Sequence, residues 1–319
     1  MNRKFSFIIS LSMSFFILCI SEGFTEKTDI SVLKGPYLGQ EPPGMTPEIF
    51  APGIVSTEES DGCVGFGMGG DLFLFQKHIE RKSYTYEMTR KDNRWSAPKL
   101  IPFSDSHQVG DFALAPDGKT LYFQSNIFIE EIGKEGEGGN IWMVERTSSG
   151  WTEPKALGPA VNTKYHDSYP CVSEDGTLYF FSRRPGGLGK SDLYVSSPTH
   201  GEYKEVGNMG EAFNTSEHEW DPYIAPDKSY IIFCSMKPGG YGEDDFYISF
   251  RKRDGSWTDP VNMREPINSS ASENRPWVSL DGKYFFFTSN RPGKGKRDVY
   301  WVSAKIIEKL KPEELKVRS

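Results

Sequence analysis

The chain has 319 residues and a formal net charge of −7, with 32 Gly and 21 Pro. The acidic balance excludes the usual nucleic-acid binder, whose phosphate-contacting face is basic. The Gly and Pro content marks a turn-rich globular chain, not a low-complexity one.

The chain begins MNRKFSFIISLSMSFFILCISEGF. Arg3 and Lys4 precede an apolar run from Phe5 to Ile20, and the small residues Ser21 and Gly23 follow. This pattern reads as a secretory signal over residues 1–23. The run is shorter than the ~20 residues a membrane span needs. Lipid attachment at Cys19 would want a small residue where Leu18 stands. No later segment is apolar enough to span, so the mature chain is read as exported, to the periplasm or out of the cell. Cys63, Cys171 and Cys234 remain, far apart and odd in number, which points to buried free thiols and away from a zinc or redox pair.

Self-similarity dominates the rest of the chain. A weak copy runs CVGFGMGGDLFLFQ from Cys63. DFALAPDGKTLYFQSN starts at Asp111, and YPCVSEDGTLYFFSRRPGGLGKSDLYVSS at Tyr169. DPYIAPDKSYIIFCSMKPGGYGEDDFYISF starts at Asp221, and RPWVSLDGKYFFFTSNRPGKGKRDVYWVS at Arg275. The turn residues Asp117, Asp175, Asp227 and Asp281 lie 58, 52 and 54 residues apart. Each unit holds a strand leading to a Pro-Asp-Gly-like turn, a dense apolar strand, a strand after a Gly-rich loop, and a Trp- or Tyr-bearing fourth element such as that at Trp151. Short apolar runs between Gly/Pro/Asp turns are strands. Four antiparallel strands recurring every ~50–58 residues predict an all-β fold, a β-propeller whose stacked blades bury each other's faces.

Five blades are expected over residues 24–305, with six as the runner-up, followed by a short helix or tail over 306–319. The fifth unit has no fourth strand of its own. KGPYLGQEPPGMTP at residues 34–47 parallels the blade-ending EYKEVGNMGEAFNTSEHEWDP. Residues 29–40 are therefore predicted to supply the outer strand of the last blade and close the ring.

The pattern S-x-R-P-G-G-x-G-x-x-D-[LVF]-Y after a Pro-Asp-Gly turn resembles the WD40-like repeats of the TolB-type propeller superfamily. YLGQEPPGMTPEIFAPGIVS at residues 37–56 resembles the opening of exported bacterial propellers built from such repeats. The resemblance implies the fold. It implies function only broadly, since such propellers serve as protein-binding platforms, as domains beside peptidases and as carbohydrate-active enzymes. TolB itself has six blades and an added α/β domain; this chain has the pattern of neither, so a role in the Tol system is not carried over.

In an up-and-down blade the loop between strands two and three shares one face with the link to the next blade. We call this the link face, and the opposite one, bearing the Pro-Asp-Gly turns, the turn face. The link face collects His107, Asp111, His166, Asp167, Glu217, His218, Glu219, Asp221, Glu273 and Arg275, with Arg183, Arg184, Lys237, Arg291 and Lys294. A site is expected there, near the central channel. Arg184 and Arg291 recur at one repeat position, and Asp192, Asp245 and Asp298 at another. Such recurrence suits a structural role, in which an Arg forks across a carboxylate and loop carbonyls. His107, His166 and His218 are candidates for a divalent metal or for acid–base work. Tyr165, Tyr169, Trp220 and Tyr241 are candidate contacts. There is no Gly-x-Ser-x-Gly and no His-Glu-x-x-His, and the Gly-rich loops lack the strand-to-helix setting of a phosphate loop.

Two functions follow. One is a non-catalytic exported propeller, monomeric and without a cofactor, that binds a protein, peptide or glycan through the link face. The alternative is a metal-assisted polysaccharide hydrolase or lyase with its site at the central channel.

Overall fold

A computed structural model describes residues 33–130 and 139–316. The signal expected over residues 1–23 lies outside them.

Five sheets of antiparallel strands follow one another along the chain, each with its first strand innermost. Blade 1 comprises Ser60–Phe66, Leu72–Ile79, Lys82–Lys91 and Lys99–Leu100. Blade 2 comprises Gly110–Leu114, Thr120–Ser125, Asn140–Thr147 and Lys155–Ala156. Blade 3 comprises Asp167–Val172, Leu178–Ser182, Asp192–Ser196 and Gly207–Asn208. Blade 4 comprises Glu219–Ile224, Tyr230–Ser235, Asp245–Phe250 and Val261–Asn262. The chain is thus a five-bladed propeller. The Trp-bearing segments expected as fourth strands are instead short hairpin arms such as Gly150–Trp151, and the outer strand proper follows a few residues on.

Blade 5 comprises Glu273–Val278, Tyr284–Ser289 and Asp298–Ser303, and the N-terminal chain completes it. The closing strand is Glu48–Ile49, with Glu48 opposite Trp301 and Ile49 opposite Tyr300. This corrects the expected range of 29–40. Residues 33–40 form a strap instead. The Leu33 carbonyl accepts from Trp95 N–H, Gly35 N–H reaches the carbonyl of Asn93, and Gly35 O accepts from the Trp95 indole at 2.8 Å. Tyr37 and Leu38 take left-handed φ values of 50° and 59°, which bends the chain away from a strand path. The C-terminal helix spans Lys305–Leu310 and buries Ile306 and Ile307.

The repeat's two signatures have different physical causes. In the turns, Gly118, Gly176 and Gly282 adopt φ of 67°, 79° and 70° beside an aspartate that accepts backbone N–H groups; Asp117 takes those of Lys119 and Thr120 at 2.7 and 2.8 Å. In the Gly-rich loops the constraint is contact between blades. A side chain on Gly189 would collide with the carbonyls of Thr215 and Glu217 in the next link. Gly242 sits likewise on Ser269 and Ala271, and Gly295 on Thr57 and Glu59. The Gly-rich loops are therefore where one blade rests on the next, and they share a face with the links as expected.

The core is aromatic and lies between the blades. Phe50, Phe73, Phe123, Phe180, Phe233, Phe246, Phe285, Phe286 and Trp301 are all fully buried. Edge-on and stacked ring pairs add roughly 0.5–1.5 kcal/mol each beyond their area. Cys63, Cys171 and Cys234 are buried free thiols, as expected.

Candidate functional site

The link-face acids divide into two sets. Asp167, Glu219 and Glu273 stand at the start of their inner strands, have no exposure, and cap the preceding link. Asp167 accepts from Thr163 N–H at 2.6 Å, Glu219 from Thr215 at 2.8 Å and Glu273 from Ser269 at 2.9 Å. Arg184 then clasps Asp167 at 2.9 Å and donates to the link carbonyls of Ala160 and Val161 at 3.0 and 2.6 Å. Its guanidinium lies over the rings of Phe180 and Tyr194. Arg291 repeats this with Glu273 at 3.0 Å, the carbonyls of Pro266 and Ile267, and the rings of Phe287 and Tyr300. In blade 4 the Lys237 ammonium lies 3.8 Å from the Tyr247 ring centroid instead, and burial raises the Glu219 carboxyl above its usual range. Asp192, Asp245 and Asp298 each accept two N–H groups of their own Gly-rich loop. These groups are spent on holding the links and Gly-rich loops in place.

The second set converges on the axis. Every inner strand bulges at one place, between Asp61 and Val64, Gly110 and Phe112, Ser168 and Cys171, Trp220 and Tyr223, and Asn274 and Trp277. The bulge presents Cys63, Asp111, Tyr169, Asp221 and Arg275, one per blade. Tyr169, Asp221 and Arg275 carry φ of 51°, 49° and 57°, each just before a proline. Such backbone costs about 1–3 kcal/mol per residue and persists only where its surroundings fix it. Here the side chains lock together. Arg275 Nε lies 3.4 Å from Asp111 Oδ1, Ser168 Oγ donates to Asp111 Oδ2 at 3.2 Å, and Arg275 N–H donates to Asp221 Oδ2 at 3.1 Å. Arg275 and Asp111 retain 18% and 24% side-chain exposure.

Burial, reinforced by the charge of Asp111, pushes the Asp221 carboxyl up to about 7. Burial pushes the Cys63 thiol up to about 12. Arg275 stays charged, held by Asp111 and the other acidic groups of the ring against the cost of its own burial. The space beside the ring is only about 10 Å³, lined by Cys63, Phe112, Tyr169, Tyr223, Arg275 and Trp277, about the room of one water. A second network lies close by: Arg297 donates to Asn274 Oδ1 at 2.7 Å and to the Ser272 carbonyl at 3.2 Å, while Ser272 Oγ donates to Asp244 at 2.5 Å.

The three histidines do not share a site. His107 ends a four-residue helix, with Nδ1 2.9 Å from Ser106 Oγ and its ring edge-on to Trp142. His166 Nδ1 accepts the Gly139 N–H at 2.8 Å, and His218 Nδ1 lies 3.0 Å from Ser191 Oγ. Each bond of His166 and His218 ties a blade to the link after it. Among the described residues no three His, Cys, Asp or Glu side chains are grouped to hold a metal ion. Glu217 is partly exposed and paired with Lys190 at 2.7 Å; Arg183 is exposed, its N–H bonded to the His166 carbonyl.

The link face also carries apolar side chains in water. Phe128, Leu188, Met236 and Tyr241 are 52%, 46%, 38% and 47% exposed. All four stand in loops between second and third strands, of blades 2, 3 and 4 in succession.

No family model and no curated protein matches the chain. Among solved structures it is similar to a putative TolB from Agrobacterium tumefaciens, at 16% identity over 73% of this chain and 71% of that one, with a TM-score of 0.49. It is also similar to an α-L-arabinofuranosidase from Lactobacillus brevis, at 12% identity over 77% and 90% of the two chains, TM-score 0.49. An α-L-arabinofuranosidase from Podospora anserina, solved in complex with cellotriose, matches at 13% identity over 81% and 93%, TM-score 0.45. Likeness at this level assigns no substrate or partner.

The sequence points to Asp111, Asp221 and Arg275 on the link face and to Tyr169 as a contact, but to Cys63 only as a buried thiol; it does not point to Asp244 or Arg297, nor to the meeting of the ring residues. Of the exposed apolar residues it named only Tyr241. The available signal was an apolar residue inside a Gly-rich loop, as in GGLGK and PGGYG.

Proposed function

We propose that the chain is an exported, non-catalytic propeller that binds a protein or peptide partner through the link-face loops of blades 2–4. One observation carries the reading: Phe128, Leu188, Met236 and Tyr241 are exposed on consecutive blades of one face. Exposed apolar groups gathered on one face mark contact surfaces. Burying such a side chain contributes about 1.5–3 kcal/mol, and association costs on the order of 4–15 kcal/mol. Four anchors with a polar rim suit a partner of moderate affinity.

The test compares the wild type with a variant carrying F128S, L188S, M236S and Y241S, after checking that both melt alike. Each is cross-linked in envelope extract of the cells that make it, and captured proteins are identified by mass spectrometry. A partner held by the wild type and by Val261→Ser, a control at an exposed outer-strand residue, but lost from the loop variant, supports the reading. Equal capture by the loop variant overturns it.

The enzymatic alternative has one observation in its favour, the pairing of Asp221, held near 7, with Asp111 in the axis. A carboxyl whose proton is held by burial, with a second carboxyl close by, is an acid–base arrangement. Against it stand the clasp on Arg275 and the lack of room beside the ring. Cleavage of any member of a polysaccharide panel, abolished by Asp221→Asn, would favour this alternative. Metal analysis of the purified protein, repeated after His166→Ala and His218→Ala, tests its metal-assisted form.

A further inference from the structure

Tyr37 sits in the propeller as a guest side chain would. Its ring lies in the cleft between blades 5 and 1, with centroids 4.8 Å from Tyr284, 5.0 Å from Phe66 and 5.9 Å from Trp301. Its hydroxyl donates to Asp281 Oδ1 at 2.9 Å. Asp281 is the turn aspartate of blade 5. The same cleft is lined on the blade 1 side by Arg90, whose guanidinium is 5.7 Å from the Trp95 ring.

The cleft between blades 3 and 4 is built to the same plan. Asp175 holds the place of Asp281: each accepts from the serine two residues earlier, Ser173 or Ser279, at 2.7 Å. Arg251 holds the place of Arg90. Arg251 N–H donates to Ser229 O at 2.8 Å and Arg90 N–H to Asp71 O at 2.7 Å, and Arg251 stacks 4.8 Å from Trp257. Strand register completes the match, because Tyr179 pairs with Val195 where Phe286 pairs with Trp301.

The difference is one of size. Val195 stands where blade 5 has Trp301, and the cleft measures about 360 Å³, lined by Thr177, Tyr179, Val195, Lys228, Arg251 and Trp257 among others, against about 270 Å³ left beside Tyr37 in its counterpart. That volume is in the range of ligand pockets. No segment among the described residues fills it as Tyr37 fills its counterpart. Lys228 is paired with Asp175, whereas Arg251 is exposed and, among the described residues, has no carboxylate within ion-pair distance. The cleft thus offers an aromatic-sized gap beside one uncompensated positive charge.

We propose that the cleft between blades 3 and 4 docks an extended peptide, which inserts a tyrosine or phenylalanine ring beside Val195 and sets a neighbouring carboxylate on Arg251. The occupant's form is taken from the chain's own strap. The site opens on the turn face, so it stands or falls separately from the link-face reading.

Two fluorescein-labelled peptides test this by anisotropy: the strap sequence LKGPYLGQE (residues 33–41) and the same peptide carrying Leu38→Glu. Both bind the wild-type protein. Replacing their Tyr37 by Ala weakens binding about tenfold or more. The Leu38→Glu peptide binds about fivefold tighter than its parent, the worth of one favourable ion pair. Val195→Trp, which fills the cleft as Trp301 does, weakens both about tenfold or more. Arg251→Ala, an exposed change that spares the core, removes the preference for the acidic peptide and keeps the proposal testable if the Trp variant folds poorly. Failure of both peptides to bind overturns the proposal, as does equal binding to Val195→Trp or an acidic preference that survives Arg251→Ala. Binding that ignores Val195→Trp but rises when the protein's own Tyr37 is changed to Ala belongs to the cleft between blades 5 and 1, and also overturns it.

Discussion

Blades 3 and 5 are built on the same repeat and closed in opposite ways. Both have the Arg–carboxylate clasp, Arg184 on Asp167 and Arg291 on Glu273, with nearly the same distances. Both cap the Gly-rich loop with an aspartate, Asp192 or Asp298. Blade 3 takes its outer strand, Gly207–Asn208, from the chain that follows. Blade 5 takes Glu48–Ile49 from far away in sequence and is covered by the strap as well. The repeated residues do the work of a blade, and the unrepeated ones do the work of closure. Substitutions can separate the two.

The largest effect is expected from closure, and in blade 5 alone. Deleting residues 24–49 leaves the edge of Asp298–Ser303 unpaired and strips the cover from Phe286 and Trp301. We expect loss of cooperative unfolding, or a fall in melting temperature of more than about 10 °C. Deleting only residues 24–40 keeps Glu48–Ile49 and removes the strap, for a smaller fall. Calorimetry of the two truncations checks the order. If they melt alike, the two-residue strand contributes nothing and the strap alone closes the ring.

Next come the clasps, where the blades should respond equally. Arg184→Ala and Arg291→Ala each leave a fully buried carboxylate with no cation, in sites where the Arg side chains are only 14% and 17% exposed. Removing one partner of a buried pair costs about 3 kcal/mol or more. Urea unfolding should give two values within about 1 kcal/mol of each other. A clearly larger loss in blade 5 would mean that its clasp also carries the closure.

Tyr37 divides the strap's contribution further. Tyr37→Phe keeps the ring among Phe66, Tyr284 and Trp301 but removes one of the two hydroxyl donors to Asp281, leaving that of Ser279, at a cost of about 1 kcal/mol. Tyr37→Ala also loses the ring packing, for about 2 kcal/mol or more. Because burial raises the Tyr37 hydroxyl above its usual range, it stays a donor throughout the neutral range, so the difference between the two variants should not vary between pH 6 and pH 9. A difference that changes across that interval would count against the hydrogen bond.

The sequence exposed what is repeated. Spacing of the turn aspartates specified the blades, and recurrence of Arg184 and Arg291 marked them as structural before any contact was seen. Closure was legible as a need, since the last unit lacks a strand, but it was placed too early in the chain. The strand that closes the ring is two residues long, too short to show an alternating pattern, and the left-handed bend at Tyr37 and Leu38 has no signature in those residue types. His107, His166 and His218 looked like a set because they recur. Recurrence put His166 and His218 against the neighbouring blades, not against each other. The ring of Cys63, Asp111, Tyr169, Asp221 and Arg275 was legible residue by residue and not as a ring, because its members differ in chemistry and only the bulge unites them.

Blade 1 supplies the smallest and most specific test. Asp61 occupies the place of Asp167, capping Thr57 N–H at 3.2 Å, but it has no Arg; its cation is Lys77 at 3.9 Å, and its Oδ1 has no hydrogen-bond partner. Burial pushes the Asp61 carboxyl up to about 8, against the weaker opposing pull of Lys77. A folded-state value above the unfolded one means that the native state holds the proton more tightly. That stabilisation is complete below about pH 4 and is lost as pH rises towards 8. Asp61→Asn mimics the protonated form at every pH. Its stability relative to wild type should therefore climb between pH 5 and 8, by on the order of 1 kcal/mol per pH unit at most, and level off above 8. Asp167→Asn instead strips Arg184 of its carboxylate and should destabilise the fold. If Asp61→Asn loses stability at pH 8 as Asp167→Asn does, then Lys77 serves blade 1 as well as Arg184 serves blade 3, and the contrast between the clasped and unclasped carboxylates fails.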